Sequence, residues 1–469
     1  MARKVRVPVL VVCASLLVSF GPVPVSLAES PYAQWSLGPP TDPGYFPLGV
    51  WVQAPRSYRV DAFADAGINL YVGCSWDETE AGMNRLRNAG MKIILNQNGD
   101  YAPTHMDDDV ICAWLQRDEP DNAKSNPSGG YYSPIAPLPT TTWSTYPGTD
   151  MYTRYLNLKG VDDRRPVFMN LGQGVAWNDW PGRGSRTGHA EDYPEYAQAC
   201  DIICFDIYPA ASGRSETAGK LWLVAQGVDH LVSIARPGQV VWNFVETTNI
   251  SGNGQATPAE VKAEVWMSIV HGSKGILYFC HGESPDSSFD EQALLKDPVM
   301  LAAVGDINWQ VRSLAPVINS PTVTGAVSTS SSSPIAPVDT LVKRHNGYTY
   351  VFSVVMRDAP TTVTYTSFEF PPLAVAEVIG EDRRIPVAAG SFSDDLDGFG
   401  VGLYKILSRF PGDADGNSIV DLDDFTQLKQ NFGVPAGATW EDGDFNKDGA
   451  VDLDDFTLLK RNFGVNLQP

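Results

Sequence analysis

The sequence predicts an α/β chain: a (β/α)8 barrel followed by an antiparallel β-sandwich and a small α-helical module. Three observations predict it. Eight short apolar runs alternate with helical patterns between Phe46 and Leu314, and the texture then changes to alternating strands behind the Ser/Thr run from Ser328 to Ser333. The last stretch is an internal repeat, Asp413 to Gly433 echoed by Asp444 to Gly464 at an offset of 31 residues. A chain of 469 residues has room for about three domains.

In chain order, Arg3, Lys4 and Arg6 precede an apolar run from Val7 to Phe20, and Ser26-Leu27-Ala28 offers the small residues a signal peptidase reads. The run is shorter than the ~20 residues a membrane span needs. Residues 1–28 are therefore expected to be an export signal, with a secreted mature chain starting near Glu29.

The eight runs are FPLGVWV ending near Val52, INLYVGC at Cys74, MKIILNQ at Gln97, VICAWLQ at Gln116, RPVFMNL at Leu171, DIICFDIY at Tyr208, QVVWNFVE at Glu246 and GILYFCHG at Gly282. They are apolar on both faces, which marks parallel strands covered on two sides. Helical patterns separate them at Ser57 to Ala66, Glu78 to Ala89, Thr149 to Lys159, Tyr193 to Ala199 and Lys220 to Ile234. Little helix is expected from His105 to Asp109. Thr257-Pro258-Ala259-Glu260 is a capping box with Pro at the first helical position, leading into Val261, Val265 and Ile269. The last barrel helix is expected at Pro298 to Leu314, which sets the barrel domain at 29–318. An open doubly wound sheet is the rival, but no Gly-rich phosphate turn follows any strand. The connection from Asn122 to Thr149 carries Tyr131, Tyr132, Trp143 and Tyr146, and its aromatic content suggests an ordered lip.

Alternation places strands at Thr340 to Lys343, Tyr348 to Val355, Thr361 to Thr366, Ala374 to Ile379 and Gly400 to Ile406, giving a sandwich over 319–409. The repeat module occupies 410–469.

Lysine plus arginine number 34 and aspartate plus glutamate 55, a net charge of −21, which argues against nucleic acid or an anionic membrane as partner. From Phe410 onward there are twelve acidic and four basic side chains, so part of that charge belongs to the last module. Cys13 leaves with the signal. The remaining Cys74, Cys112, Cys200, Cys204 and Cys280 are odd in number and four lie in expected strands, so buried thiols are expected rather than a disulfide framework. There is no P-loop, G-x-S-x-G elbow, H-E-x-x-H or Cys/His zinc pattern.

In such a barrel the side chains at the carboxyl ends of the strands form the active site. Strand four closes in Arg117-Asp118-Glu119-Pro120 and strand seven in Phe244-Val245-Glu246. Two carboxyls on one rim are what glycoside hydrolysis requires, one to protonate the leaving oxygen and one to attack or to activate water. Trp51, Trp76, Asn96, Asn170, Asp206, Tyr208, Trp242 and His281 stand at other strand ends, a mixture of aromatic platforms and polar groups that suits a sugar. Strand alternation puts Arg117 on the side of Glu119, so the strand is expected to lose regularity near Asp118.

These motifs resemble the clan of retaining (β/α)8-barrel glycosidases, over about Phe46 to Leu314. The resemblance implies that Glu119 is the acid/base, Glu246 the nucleophile and Tyr208 a hydrogen-bond donor to Glu246. The clan usually carries Asn just before the acid/base, binding the sugar 2-hydroxyl, where this chain has Asp118. Its common Trp at the end of strand eight is replaced by Phe279 and His281 nearby. A noncatalytic carbohydrate-binding or scaffold-associated protein that keeps the barrel is the alternative reading.

In the repeat, Asp413, Asp415, Asn417, Asp421 and Asp424 stand at positions 1, 3, 5, 9 and 12 of a calcium loop, and Asp444, Asn446, Asp448, Asp452 and Asp455 repeat the spacing. Ile419 and Ala450 hold position seven, where the backbone carbonyl is the ligand. Oxygen-only donors at that interval suit two Ca2+ ions, and helices are expected at Phe425 to Phe432 and Phe456 to Phe463. The pair resembles a type I dockerin, which implies a cohesin-type receptor as partner. Ser418 stands where loop one should have its turn glycine, and Gly449 keeps that place in loop two, so tighter binding is expected in loop two.

Overall fold

Residues 30–122, 124–125, 131–132, 151–250, 252–283, 289–371, 373–417 and 419–466 are described by the structure, a computed structural model. The expected export signal, the lip residues Trp143 and Tyr146, and Ser418 lie outside the described residues.

Eight parallel strands run through the first domain: β1 (Leu48–Trp51), β2 (Leu70–Val72), β3 (Lys92–Leu95), β4 (Ile111–Leu115), β5 (Val167–Leu171), β6 (Ile202–Phe205), β7 in two pieces (Val240–Val241 and Asn243–Glu246) and β8 (Ile276–Phe279). Each pairs with the next. β8 also pairs with β1, and β7 meets β6 through its first piece and β8 through its second, which closes the barrel. The intervening helices are α1 (Ser57–Asp65), α2 (Glu80–Asn88), α3 (Met151–Val161), α4 (Tyr193–Ala197), α5 (Trp222–Ile234), α6 (Pro258–Val270), the short α7 (Ala293–Lys296) and α8 (Pro298–Ile318). After β3 there is only a 3-10 turn, Ala102–Thr104. The capping box on α6 forms: the Thr257 side chain accepts from the Glu260 amide and the Glu260 side chain accepts from the Thr257 amide.

Alternation along the strands divides the core. Leu70, Val72, Ile94, Phe168, Ile202, Phe244 and Leu277 fill the barrel interior, while Val50, Tyr71, Ile93, Val245 and Tyr278 pack outward against the helices. Trp242, expected at a sugar-binding strand end, is instead interior. It interrupts β7 with its ring fully buried against Phe168 and Tyr32, and its indole N–H donates to the Tyr32 hydroxyl at 3.0 Å. A large ring with one donor is stable inside when that donor finds a partner, and the segment ahead of β1 supplies it.

The second domain is an eight-stranded antiparallel sheet: β9 (Ser328–Ser331), β10 (Val338–His345), β11 (Tyr348–Val355), β12 (Thr361–Thr366), β13 (Leu373–Val378), β14 (Arg383–Ala388), β15 (Ser391–Leu396) and β16 (Val401–Leu407). A single residue pair, Ala388 with Ser391, links its halves, and the sheet folds over there so that Tyr365 of β12 meets Ser353 of β11 and Tyr404 of β16. It packs on the barrel through Trp266 of α6 against Phe352, ring centroids 5.1 Å apart. The last module has two helices, α9 (Leu422–Asn431) and α10 (Leu453–Asn462), around Val420, Leu428, Trp440, Phe445, Val451 and Leu459. Both helices start three residues before their expected first residues, because Asp421 and Asp452 serve as N-caps. The five cysteines described are free thiols, four of them buried.

Candidate active site

Regular pairing in β4 stops at Leu115, but the chain keeps contact with β5. Gln116 N donates to Phe168 O at 2.7 Å and Glu119 N to Asn170 O at 2.9 Å. Between them the backbone turns, and Glu119 has a positive φ of 40°, a conformation costly for a residue with a Cβ. The buried Asp121 fixes that turn, its carboxylate accepting from Gly172 N at 2.9 Å and from the Tyr193 hydroxyl at 3.0 Å. A Cβ at Gly172 would fit only if neighbouring side chains shifted by a few tenths of an ångström. One placed there would stand 3.0 Å from Glu119 Oε1 and from the Asn122 amide.

Five of the expected site residues meet around this turn. Asn170 Nδ2 donates to Asp118 Oδ1 at 3.0 Å and to Asp206 Oδ2 at 3.3 Å, and the Tyr208 hydroxyl donates to the same Asp206 oxygen at 3.1 Å. The half-buried Glu119 carboxyl is hydrogen-bonded to Asp206 and to the Asn122 side chain. Burial, then the charges of Asp118 and Asp121, push Glu119 up to about 7. Burial also drives Asp206 well above the carboxylate range, with Glu119 and Asp118 adding to it. Two carboxyls in contact cannot both ionise cheaply, so they hold one proton between them. Such a pair offers a proton at neutral pH.

Glu246 ends β7 fully buried, with different partners. Its oxygens accept from Ala210 N at 2.7 Å and Ala211 N at 2.6 Å, in the segment after β6. On its other side is the carboxyl of Glu264, fully buried in α6 with neither oxygen taking a hydrogen bond from a protein donor, and the two carboxyls interact electrostatically. Burial pushes Glu246 up to about 7, opposed by the two amides, and raises Glu264 further. The structure therefore groups Glu119 with Asp206 and Glu246 with Glu264. The Tyr208 hydroxyl, expected to donate to Glu246, donates to Asp206; a short residue two places before it on the same strand end reaches the hydroxyl first.

Trp51 ends β1 half-buried, edge-on to Phe244 at 5.5 Å. The ring of the buried His281 lies 5.4 Å from Phe279, which in turn lies 5.1 Å from Tyr208. His281 Nε2 is 3.1 Å from the carbonyls of both Trp51 and Val52, and burial lowers its pKa, so it ties β8 to β1 as a neutral donor. Trp76 is 64 % exposed, its indole donating to Glu291 at 3.2 Å, and Asn96 is exposed at the end of β3. Sequence reasoning missed Asp121, Asn122, Trp177, Trp180 and Arg214. Asp121 and Asn122 follow Glu119 directly; the other three lie in connections with no periodicity to mark them.

In the last module the carboxylate oxygens of Asp413, Asp415 and Asp424 lie within 4.8 Å of one another. Asp424 is buried, and its oxygens accept from the amides of Ala414, Asp415 and Asp421. Asp455 repeats this with Phe445, Asn446 and Asp452. Asn417 and Asp448 take the amides of Ile419 and Ala450, both at 2.8 Å, and Asp444 takes that of Gly449, which has a φ of 88°. Three converging carboxylates with oxygen donors alone fit a hard cation such as Ca2+ in loop one.

Residues 411–464 match the family described as the dockerin type I domain. No curated protein is significantly similar to the chain. Among solved structures, the chain is similar to a glycoside hydrolase (11% identity, 77% of this chain and 92% of that one, TM-score 0.47). It is likewise similar to an α-amylase from Geobacillus thermoleovorans complexed with acarbose (11%, 77% and 98%, 0.46) and to a glycoside hydrolase family 5 protein from Bacteroides vulgatus (11%, 77% and 88%, 0.46).

Proposed function

We propose that the barrel is a glycoside hydrolase in which Glu119 protonates the leaving oxygen of a carbohydrate, in a secreted protein whose signal is residues 1–28. The observation that supports this reading is the Glu119–Asp206 pair, a half-buried carboxyl holding a proton near pH 7 at the carboxyl end of β4. Carboxyls in hydrogen-bond contact are closer than the ~5 Å that separates the acid and nucleophile of a retaining enzyme. Asp206 therefore works on the Glu119 proton and not from the opposite face of the sugar.

The retaining reading gives the nucleophile's role to Glu246. It is favoured by the two amides on its carboxylate, which stabilise the ionised form a nucleophile needs. A screen of plant and algal polysaccharides for released reducing sugar, run on wild type, Glu119→Gln and Glu246→Gln, tests both points. Glu119→Gln is expected to lose about 10²- to 10⁴-fold. Unchanged activity in folded Glu119→Gln would remove Glu119 as the acid, no activity of the wild type on any polysaccharide would count against the hydrolase reading, and unchanged activity in Glu246→Gln would remove retention through that residue.

For the last module we propose two Ca2+ sites, one in each loop, and a cohesin-type receptor as partner, in keeping with the dockerin match. Asp413, Asp415, Asn417, Asp421 and Asp424 would hold one ion, with the carbonyl of Ile419. Asp444, Asn446, Asp448, Asp452 and Asp455 would hold the other, with that of Ala450. Calorimetric titration of the calcium-stripped chain is expected to give two calcium ions per chain; one would remove a loop from the proposal.

A further inference from the structure

On the rim beside Glu119, the connection after β5 brings Trp177 and Trp180 together, ring centroids 5.5 Å apart. The connection after β6 lays the guanidinium of Arg214 over both, 5.1 Å from the Trp180 ring and 6.0 Å from that of Trp177. Trp180 is tied to the acid by a short relay: its indole N–H donates to Asn122 Oδ1 at 2.8 Å, and the Asn122 side chain is hydrogen-bonded to Glu119. Both rings are half-buried and Arg214 is exposed. The segment carrying it is braced, since Ser212 Oγ accepts from Arg214 N at 3.2 Å and lies 2.6 Å from Thr217 Oγ1, while Ala210 and Ala211 are held by Glu246.

Two features separate this cluster from ordinary surface stacking. No carboxylate pairs with Arg214 among the described residues, although the chain carries a net charge of −21. The Arg214 guanidinium also makes no hydrogen bond to the protein among the described residues, so its N–H fork can meet a carboxylate or a sulfate. An anionic sugar approaching the cluster of Asp118, Glu119 and Asp206 meets repulsion, and a positioned cation beside that cluster offsets it. A neutral glycan gains hydrogen bonds from it but no charge pairing.

We infer that Trp177, Trp180 and Arg214 form a subsite for an anionic sugar unit adjacent to the sugar whose bond Glu119 cleaves, its charge a ring carboxylate or a sulfate ester. This rests on the glycoside hydrolase reading for the cleavage, but binding can be measured without it. The probes are oligogalacturonates and glucuronoxylan oligosaccharides, each with its carboxyl-reduced neutral counterpart, and a sulfated galactan oligosaccharide with its desulfated form. Binding to the full chain carrying Glu119→Gln is read by tryptophan fluorescence and calorimetry.

At least one charged probe is expected to bind about tenfold or more tightly than its neutral counterpart, and to lose that margin with added salt. Arg214→Ala should abolish the margin and leave the neutral probe unaffected. Arg214→Lys, which keeps the charge and loses the fork, should fall between. The inference is overturned if no charged probe is preferred, or if the preference survives Arg214→Ala in a variant that melts like its parent. Preference without cleavage of any probe by the wild-type chain would keep the subsite and show that these probes are not its substrates; cleavage without preference would remove the subsite and keep the hydrolase reading.

Discussion

The half-buried Glu119 and the fully buried Glu246 are both pushed up to about 7, yet their surroundings give them different consequences. Glu119 must be protonated to donate, so activity is expected to fall as pH rises through about 7, and a pH profile that stays flat from 6 to about 8 would contradict its role as acid. For the Glu246–Glu264 pair the consequence is stability. Carboxyls whose folded pKa is raised bind more protons folded than unfolded, so their contribution is complete below the ordinary carboxylate pKa and is lost as pH rises through the folded value. Glu264→Gln keeps the shape and supplies an N–H to Glu246. It is expected to raise stability at pH 8 by on the order of 2 kcal/mol over wild type and to flatten the decline from pH 5 to about 8. Equal melting temperatures for the two proteins at pH 8 would show that the pair is already relieved by other means.

At the scale of elements, the ends of strands and helices decide most of what matters. The Thr257–Glu260 box satisfies two otherwise orphaned donors at the start of α6, the helix that carries Glu264 and docks the sandwich through Trp266. Thr257→Ala is expected to cost about 1 kcal/mol, read as a lower melting temperature of the barrel transition, with activity retained. Gly172 ends β5 against the acid. Gly172→Ala should cost little stability but push the Glu119 carboxyl aside, lowering activity by about tenfold or more; an unchanged rate would mean that Glu119 tolerates the shift. In the last module, position four of each aspartate-rich loop has a left-handed backbone, with Gly416 at a φ of 73° in loop one and Lys447 at 64° in loop two. Loop two therefore carries at Lys447 the strain that Gly416 avoids.

At the scale of the whole molecule, the dockerin-type module is joined to the sheet domain by more than the chain. Trp440 stands edge-on to Phe368 of the sheet domain at 5.7 Å and to Phe445 of loop two at 5.3 Å, and its indole donates to the Asp413 carbonyl of loop one at 2.7 Å. Lys447 lies 4.1 Å from the Phe368 ring and Arg409 pairs with Glu441 at 2.7 Å. Both loops thus bear on the same junction. Stripping calcium from the full chain is expected to release hydrogen-exchange protection in α9 and α10 and to change Trp440 fluorescence, because crowded carboxylates repel without the ion. Protection unchanged by chelation would show that the core around Leu428 and Leu459 suffices.

The sequence by itself determined the barrel and the order of its strands, because two-sided burial and helix caps are local signals: eight apolar runs became eight strands, and Thr257 and Pro258 began α6 where their chemistry requires. It also determined the repeat, whose ligand spacing is a one-dimensional property. The sheet domain was legible only where alternation was apolar. β14, with two Arg and Pro386 inside it, β15 with its two Asp, and the Ser/Thr strand β9 form because their neighbours pair with them. Only the tertiary structure decided which carboxyls meet. Asp206 lies 87 positions beyond Glu119 and Glu264 lies 18 beyond Glu246, and nothing along the chain says that a 40° φ at Glu119 turns it toward β6 or that Ala210 and Ala211 take hold of Glu246. Strand order states which rim a side chain reaches; the partner it finds there is set by packing and by the burial that determines its proton.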